Sequence, residues 1–340
     1  MAFPLIGLQW PCGVGRTLIS LMLGAALTAS CTQRRVAVSA AETASDLGTA
    51  AESRLKPATI VAARIPPRPK DAVGGREFLR RTAQLSLADR EQRIADEVLR
   101  GNIPSFLRSF VPVAVDIRNE YQILKRGWIF VLTDYLAIGS DVDFVRIPMT
   151  PVTAQRIADK FGAMLPTSSI VNSIYAAADL KLAPKPMKPG WFMRSNDYFF
   201  KHEDLIEPYV PSTRHGQLIA GHKKDVVITR RQRPGRVAIY GWHLNHGEPI
   251  QPLSVWHHLS YTDYSHGVRL VHPHILVDGE MRPMTEVLMH PFLSQMVSFE
   301  GAFWPARITD HAVEWSAVEM RAPYNGHPPA RRRPPLNVGH

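Results

Sequence analysis

Apolar residues recur at helical spacing in three stretches, and each stretch opens on a capping signal. Ser86-Leu87-Ala88-Asp89 has the form of a capping box; the helix it begins runs to Leu99 with Ile94 and Val98 on one face, and Gly101 ends it. Thr150-Pro151 supplies an N-cap followed by proline at the first helical position, with Ala154, Ile157, Ala158 and Phe161 in register behind it. Pro166-Thr167 starts the third, whose buried stripe is Ile170, Val171, Ile174, Tyr175 and Ala178. Elsewhere the period is two. Val111, Val113 and Val115 alternate, and residues 121–136 are rich in β-branched and aromatic side chains. Further strands are predicted over 226–229, 237–242, 268–271 and 275–277, with Asp278-Gly279 closing a hairpin. Helices and strands fall in blocks, which predicts an α+β fold: a mixed or antiparallel sheet with helices packed as a separate block, in one large domain or two small subdomains.

The two ends read differently. Arg16 precedes an apolar run, Leu18 to Leu27, too short to cross a bilayer and followed by small residues, so residues 1–30 are expected to be a signal peptide. Leu27-Thr28-Ala29-Ser30-Cys31 resembles the lipobox of bacterial lipoproteins, which implies lipidation of Cys31 as the first residue of the mature chain. Thr28 departs from the usual Leu, and Val38-Ser39-Ala40 offers an ordinary cleavage site. Residues 31–75 read as a flexible tether, 76–190 as a helical and β part, 191–326 as a histidine-rich β part, and 327–340, with Pro328-Pro329 and Arg331 to Pro335, as a disordered tail.

Cysteine usage narrows the chemistry. The only two, Cys12 and Cys31, lie in or beside the export segment, so the folded part has no thiol; disulfide frameworks, cysteine nucleophiles and cysteine-ligated zinc are excluded there. The net charge of +10 is spread along the chain, with clusters at Arg230, Arg231 and Arg233 and in the tail. We expect no nucleic-acid partner; for an exported chain the polyanions at hand are lipid headgroups and wall polymers. The expected location is the periplasm or outer membrane, reached through a lipid anchor.

Histidine is concentrated: all 14 lie at or beyond His202. Many fall where polar residues border predicted strands, the places where a rigid scaffold presents active-site groups. The blocks Ala220 to Val227 (AGHKKDVV), Ala238 to His243 (AIYGWH), Pro249 to Leu253 (PIQPL) and Asp263 to Arg269 (DYSHGVR) resemble those of a group of uncharacterised secreted bacterial proteins over about residues 104–300. That resemblance implies no established activity, so the roles that follow rest on side-chain chemistry.

Three catalytic readings stay open. Ser265 could act as a nucleophile with His222 or His243 as base and Asp225 or Asp263 as orienting carboxylate, although no Gly-x-Ser-x-Gly elbow is present. Zinc is a possible cofactor, held by His215, His222, Asp225 and a later histidine. His272-Pro273-His274 resembles the His-x-His of zinc D-Ala-D-Ala peptidases, but His222 stands where that family has Asp, so no ligand set follows. The third reading is metal-free acid/base catalysis by His222, His243 and Tyr264, with Lys224 or Arg269 binding an anionic group. Together these define candidate catalytic residues His222, Asp225, His243, Ser265 and His266, and candidate substrate-binding residues Lys224, Tyr264, Arg269 and Trp242. The expected activity is hydrolysis of a cell-wall or extracellular polymer. The alternative is a non-catalytic envelope lipoprotein that binds a polymer or partner protein through Trp242, Trp256, Tyr261 and Tyr264.

Lipidation is checked by mass spectrometry of the chain recovered from producing cells. The wild type is expected to carry acyl chains on Cys31, and a Cys31→Ser variant to carry none.

Overall fold

The longest ladder joins two ten-residue strands, and their alternation sets the sheet. The computed structural model describes residues 56–62, 64–211, 217–304 and 306–308. The signal segment, Cys31, His215 and the C-terminal tail lie outside them. In chain order come β1 (Ile60–Val61), α1 (Gly75–Thr82), α2 (Leu87–Leu99), β2 (Ser109–Arg118), β3 (Ile123–Leu132), β4 (Ala137–Gly139) and β5 (Phe144–Arg146). Helices α3 (Pro151–Phe161) and α4 (Ser168–Ala177) follow, then β6 (Leu180–Lys181), α5 (Asn196–Ile206), β7 (Ile219–Ala220), β8 (Lys224–Val226) and β9 (Ile239–His243). The remainder is β10 (Pro249–Ser254), β11 (His266–Gly267), β12 (His274–Val277), β13 (Glu280–Pro283) and α6 (Met284–Met289). The fold is α+β.

The larger sheet has the order β1-β2-β3-β12-β13, antiparallel throughout, with Phe110 facing Leu132 and Leu276 facing Trp128. Asp278 and Gly279, at φ 53° and 80°, make the two-residue turn between β12 and β13 that the Asp-Gly pair predicts. One apolar core includes Ile94 of α2, Ile129 of β3, Ile157 of α3, Phe199 of α5, Val226 of β8 and Ile275 of β12. It therefore draws on residues from both sides of position 190.

The capped helices form where their signals stand. Ser86 accepts from the Asp89 N–H at 3.1 Å, Thr150 from Thr153 at 3.4 Å and Thr167 from Ile170 at 3.1 Å. Glu91 of α2 accepts both the N–H and the hydroxyl of Thr150, at 2.7 and 2.8 Å, so the cap of α3 is also its tie to α2.

Two expectations need correction. Residues 60–75, assigned to the tether, belong to the fold: β1 pairs with β2, and the Arg68 guanidinium bonds Asn102 and the carbonyls of Gly139, Ala72 and Val73. Residues 268–271 are not a strand. All four are buried, Arg269 included, and their carbonyls at Val268 and Leu270 accept from Leu136 and Leu132 while Val271 makes only isolated bridges.

Ionic contacts join the helices to the sheets at Arg146, at the end of β5. Its guanidinium bonds Asp134 at 2.8 and 3.0 Å, Glu203 of α5, and Glu207 at 3.3 Å. Burial opposes charge on Asp134, yet Arg146 holds its carboxyl far below the usual range. Removing the cation would leave Asp134 and Glu203 buried without it. An Arg146→Met variant is expected to lose about 3–5 kcal/mol of unfolding free energy, measured by urea denaturation.

Candidate functional site

The four sequence blocks become the four strands of the second sheet, ordered β10-β9-β8-β11. β9 runs antiparallel to β8, with Gly241 facing Lys224, and β10 lies on its other edge with Gln251 facing Gly241. β11 is parallel to β8, His266 beside Lys224 and Gly267 beside Asp225. Gly267 admits no side chain: a Cβ there would stand 2.6 Å from Tyr135 Cδ1 and 2.8 Å from Lys223 Cβ. Trp242 takes φ 58°, a left-handed value that a bulky residue adopts only under constraint. Its indole N–H donates to the His222 carbonyl and its backbone N–H to that of Lys223, both at 3.1 Å, which fixes the turn out of β9 against β8.

Three polar groupings result, and the first surrounds Asp263. Its carboxylate accepts the Ser265 hydroxyl at 2.6 Å, the Ser265 N–H at 2.8 Å and the Tyr261 phenol at 2.8 Å. Burial favours the neutral acid, but His266, Ser265 and Lys224 together hold Asp263 below its usual range. The His266 ring lies 5.7 Å from that of Tyr261, and Tyr261 stacks on His257 at 4.3 Å. Lys224, His257 and Tyr261 are partly exposed, whereas Asp263, Ser265 and His266 are buried.

The second grouping surrounds Lys223, whose ammonium donates to the Tyr264 carbonyl at 2.6 Å. Burial pushes this lysine down to about 8, with Glu203 pulling it back up. His222 Nε2 stands 3.6 Å from Asp134 Oδ1, beyond hydrogen-bond reach but within its field, and the His222 ring meets Tyr135 edge-on at 5.0 Å. Burial carries His222 and His266 down to about 4 and His202 well below its ordinary value. Both ring nitrogens of each of these three histidines lack a hydrogen-bond partner, at 0, 0 and 1 % exposure for His202, His222 and His266.

The third grouping lies on the α4 side. Asp225 accepts the Tyr135 phenol at 2.8 Å and is pushed up to about 7 by burial. His243 Nε2 pairs with Asn172 at 2.9 Å, and its ring stacks on Tyr175 at 4.5 Å. A Cβ at Gly241 would touch both, 3.4 Å from His243 Cε1 and 3.5 Å from Asp225 Oδ2.

Several expected roles change in this geometry. Ser265 is set against a carboxylate two residues away, not against an imidazole, because the tight turn before β11 draws its hydroxyl and N–H to Asp263. Of the four residues expected to bind substrate, Lys224 alone is more than marginally exposed. Arg269 is spent on the carbonyls of Leu132 and Ile219, Tyr264 accepts the Met187 N–H, and Trp242 is buried. Among the described residues no three His, Asp or Glu side chains are grouped to hold a metal ion. Asp134, Arg146, Glu203, His202 and Lys223 were not marked by sequence reasoning; a His-Lys-Lys-Asp run entering a strand was the only local signal. The chain matches no family model, no curated protein and no solved structure.

The depressed imidazoles give a pH dependence with a definite sign. A histidine whose folded value is lowered contributes fully above about 6.5 and loses that contribution as pH falls toward 4. Asp225, raised to about 7, acts in the opposite sense over the same range. Because the opposing groups cancel in a comparison, wild type is expected to lose stability relative to His266→Asn by about 1.4 kcal/mol per pH unit between pH 6.5 and 4, read from urea midpoints.

Proposed function

We propose that this chain is a cell-envelope hydrolase working by metal-free acid/base catalysis on a cell-wall or extracellular polymer. The observation that supports it most is the grouping beneath Lys224, His257 and Tyr261, where ionised Asp263, neutral His266 and a lysine held near 8 share one region. His266 has a free ring nitrogen to take a proton from water, and Asp263 stabilises the imidazolium that forms. Lys224, partly exposed and with its value lowered by burial, returns a proton to the leaving oxygen or nitrogen. Lys224, half-buried and 4.9 Å from the Trp242 ring, is placed to meet an anionic or hydroxyl-rich chain.

Trp256 favours the second reading, a binding module. It is 77 % exposed on the loop that leads to His257, and an exposed indole beside a stacked histidine and tyrosine suits a sugar ring.

Release of soluble fragments from purified wall material and from extracellular polysaccharide separates the two. His266→Gln and Lys224→Met are each expected to lower the rate by about 10²–10³-fold while circular dichroism stays native. Wild-type protein that binds the polymer, loses that binding in Trp256→Ala and releases nothing would replace the hydrolase with the binding module.

A further inference from the structure

The turn after β8 borders the loop that leads to His257, through Arg236 and Val237. Residues 229–236 carry Arg230, Arg231, Arg233 and Arg236, all exposed. Glu300 pins this turn: its carboxylate accepts the Thr229 hydroxyl at 2.6 Å and the Arg230 N–H at 3.1 Å, and it pairs with Arg231 at 3.2 Å. The Arg230 guanidinium reaches only the Glu300 carbonyl, at 3.4 Å, and the Arg236 guanidinium the Trp256 carbonyl, at 2.8 Å. Glu300 thus pairs with one of the four guanidinium groups on the turn, which remains strongly positive.

The segment that carries Glu300 also carries unpartnered apolar area. Ser298 caps a tight turn, its hydroxyl donating to the Gly301 carbonyl at 2.8 Å and accepting the Glu300 N–H at 3.2 Å. Gly301 has φ 74°, a value that suits glycine. With Glu300 drawn inward onto the arginine turn, its neighbour Phe299 is left 68 % exposed, and Trp304 on the same segment is 61 % exposed. Phe303 between them is buried and its N–H bonds the Leu288 carbonyl, so the segment is held in place by its inward residues.

Exposed aromatic side chains on the segment that pins a net-positive arginine turn supply the two halves of an interfacial membrane contact. Phenylalanine and tryptophan gain by entering the boundary between headgroups and acyl chains, and arginine is attracted to anionic headgroups. A wall polysaccharide or nucleic acid would use the arginines but gain less from Phe299, which has no polar edge. We infer that the turn 229–236 with Phe299 and Trp304 forms a face that docks on an anionic phospholipid surface. This does not depend on the hydrolase reading.

The test is co-sedimentation of the full chain, carrying Cys31→Ser so that no acyl group contributes, with phosphatidylcholine vesicles containing either no or about one-third phosphatidylglycerol. Every protein compared has the same N-terminal segment, so its own lipid affinity is a common baseline, measured with the Arg230→Ser/Arg233→Ser/Phe299→Ser/Trp304→Ser variant and subtracted. The parent is expected to bind the anionic vesicles at least about tenfold more tightly at physiological salt. Arg230→Ser/Arg233→Ser should abolish that preference, and Phe299→Ser/Trp304→Ser should weaken binding to the anionic vesicles to a similar degree. All these side chains are exposed, so the thermal midpoints should match the parent's. Equal binding by parent and both double variants would overturn the inference. So would a polyphosphate competitor that removes binding while Phe299→Ser/Trp304→Ser has no effect, which would assign the face to a soluble polyanion.

Discussion

Arg146 carries its charge with 1 % of its side chain exposed, and the docking of α5 on β5 and on the segment after β3 depends on how that charge is met. Asp134 comes from the segment between β3 and β4, Glu203 and Glu207 from α5 and the residues after it, so one guanidinium at the end of β5 ties a helix to that segment. Taking such groups out of water costs several kcal/mol each, and the array is tolerable only because nearly every polar atom in it is paired. It also sets the field in which His222 and Lys223 sit. Asp134 faces His222, Glu203 acts on Lys223, and both β8-proximal residues inherit their electrostatics from side chains far from them in the chain.

Much of the fold was legible from short-range signals. Ser86, Thr150 and Thr167 mark three helix starts because a capping hydroxyl is local chemistry, and Asp278-Gly279 marks a hairpin because its backbone requirement is equally local. Helix α1 has Gly74 at its cap position with no side-chain bond, so nothing announced it. Helix α5 buries Asn196, His202 and Glu203 among its apolar residues, which blurs the amphipathic period. Residues 268–271 look like a strand since their burial on all sides mimics one, and only the tertiary arrangement shows that they lack a continuous partner.

The candidate site was legible as blocks and not as geometry. Ala220 to Val227, Ala238 to His243, Pro249 to Leu253 and Asp263 to Arg269 all contribute strands to one sheet, so blocks apart in the sequence meet in one place. What it could not convey is depth. Polar residues bordering a strand are usually at the surface, but here α4 and α5, together with the larger sheet, cover them, and Arg269 and Tyr264 become internal struts. Roles that need contact with a large substrate therefore pass to Lys224, His257, Tyr261 and Trp256.

The β8–β11 pairing has a kinetic meaning as well. Two residue pairs hold these strands together across about forty intervening residues, and β3 meets β12 only when Leu276 reaches Trp128. A chain emerging from its N-terminus thus finishes the β2–β3 ladder and helices α2 to α4 while the partners of their inner faces do not yet exist. Contacts of such long range are slow to close, which leaves the half-built sheet with open edges for an unusually large part of the folding time. The residues of the histidine-rich sheet are then among the last to be assembled, and any factor that shelters the early ladder would govern the yield of folded protein more than the final stability does.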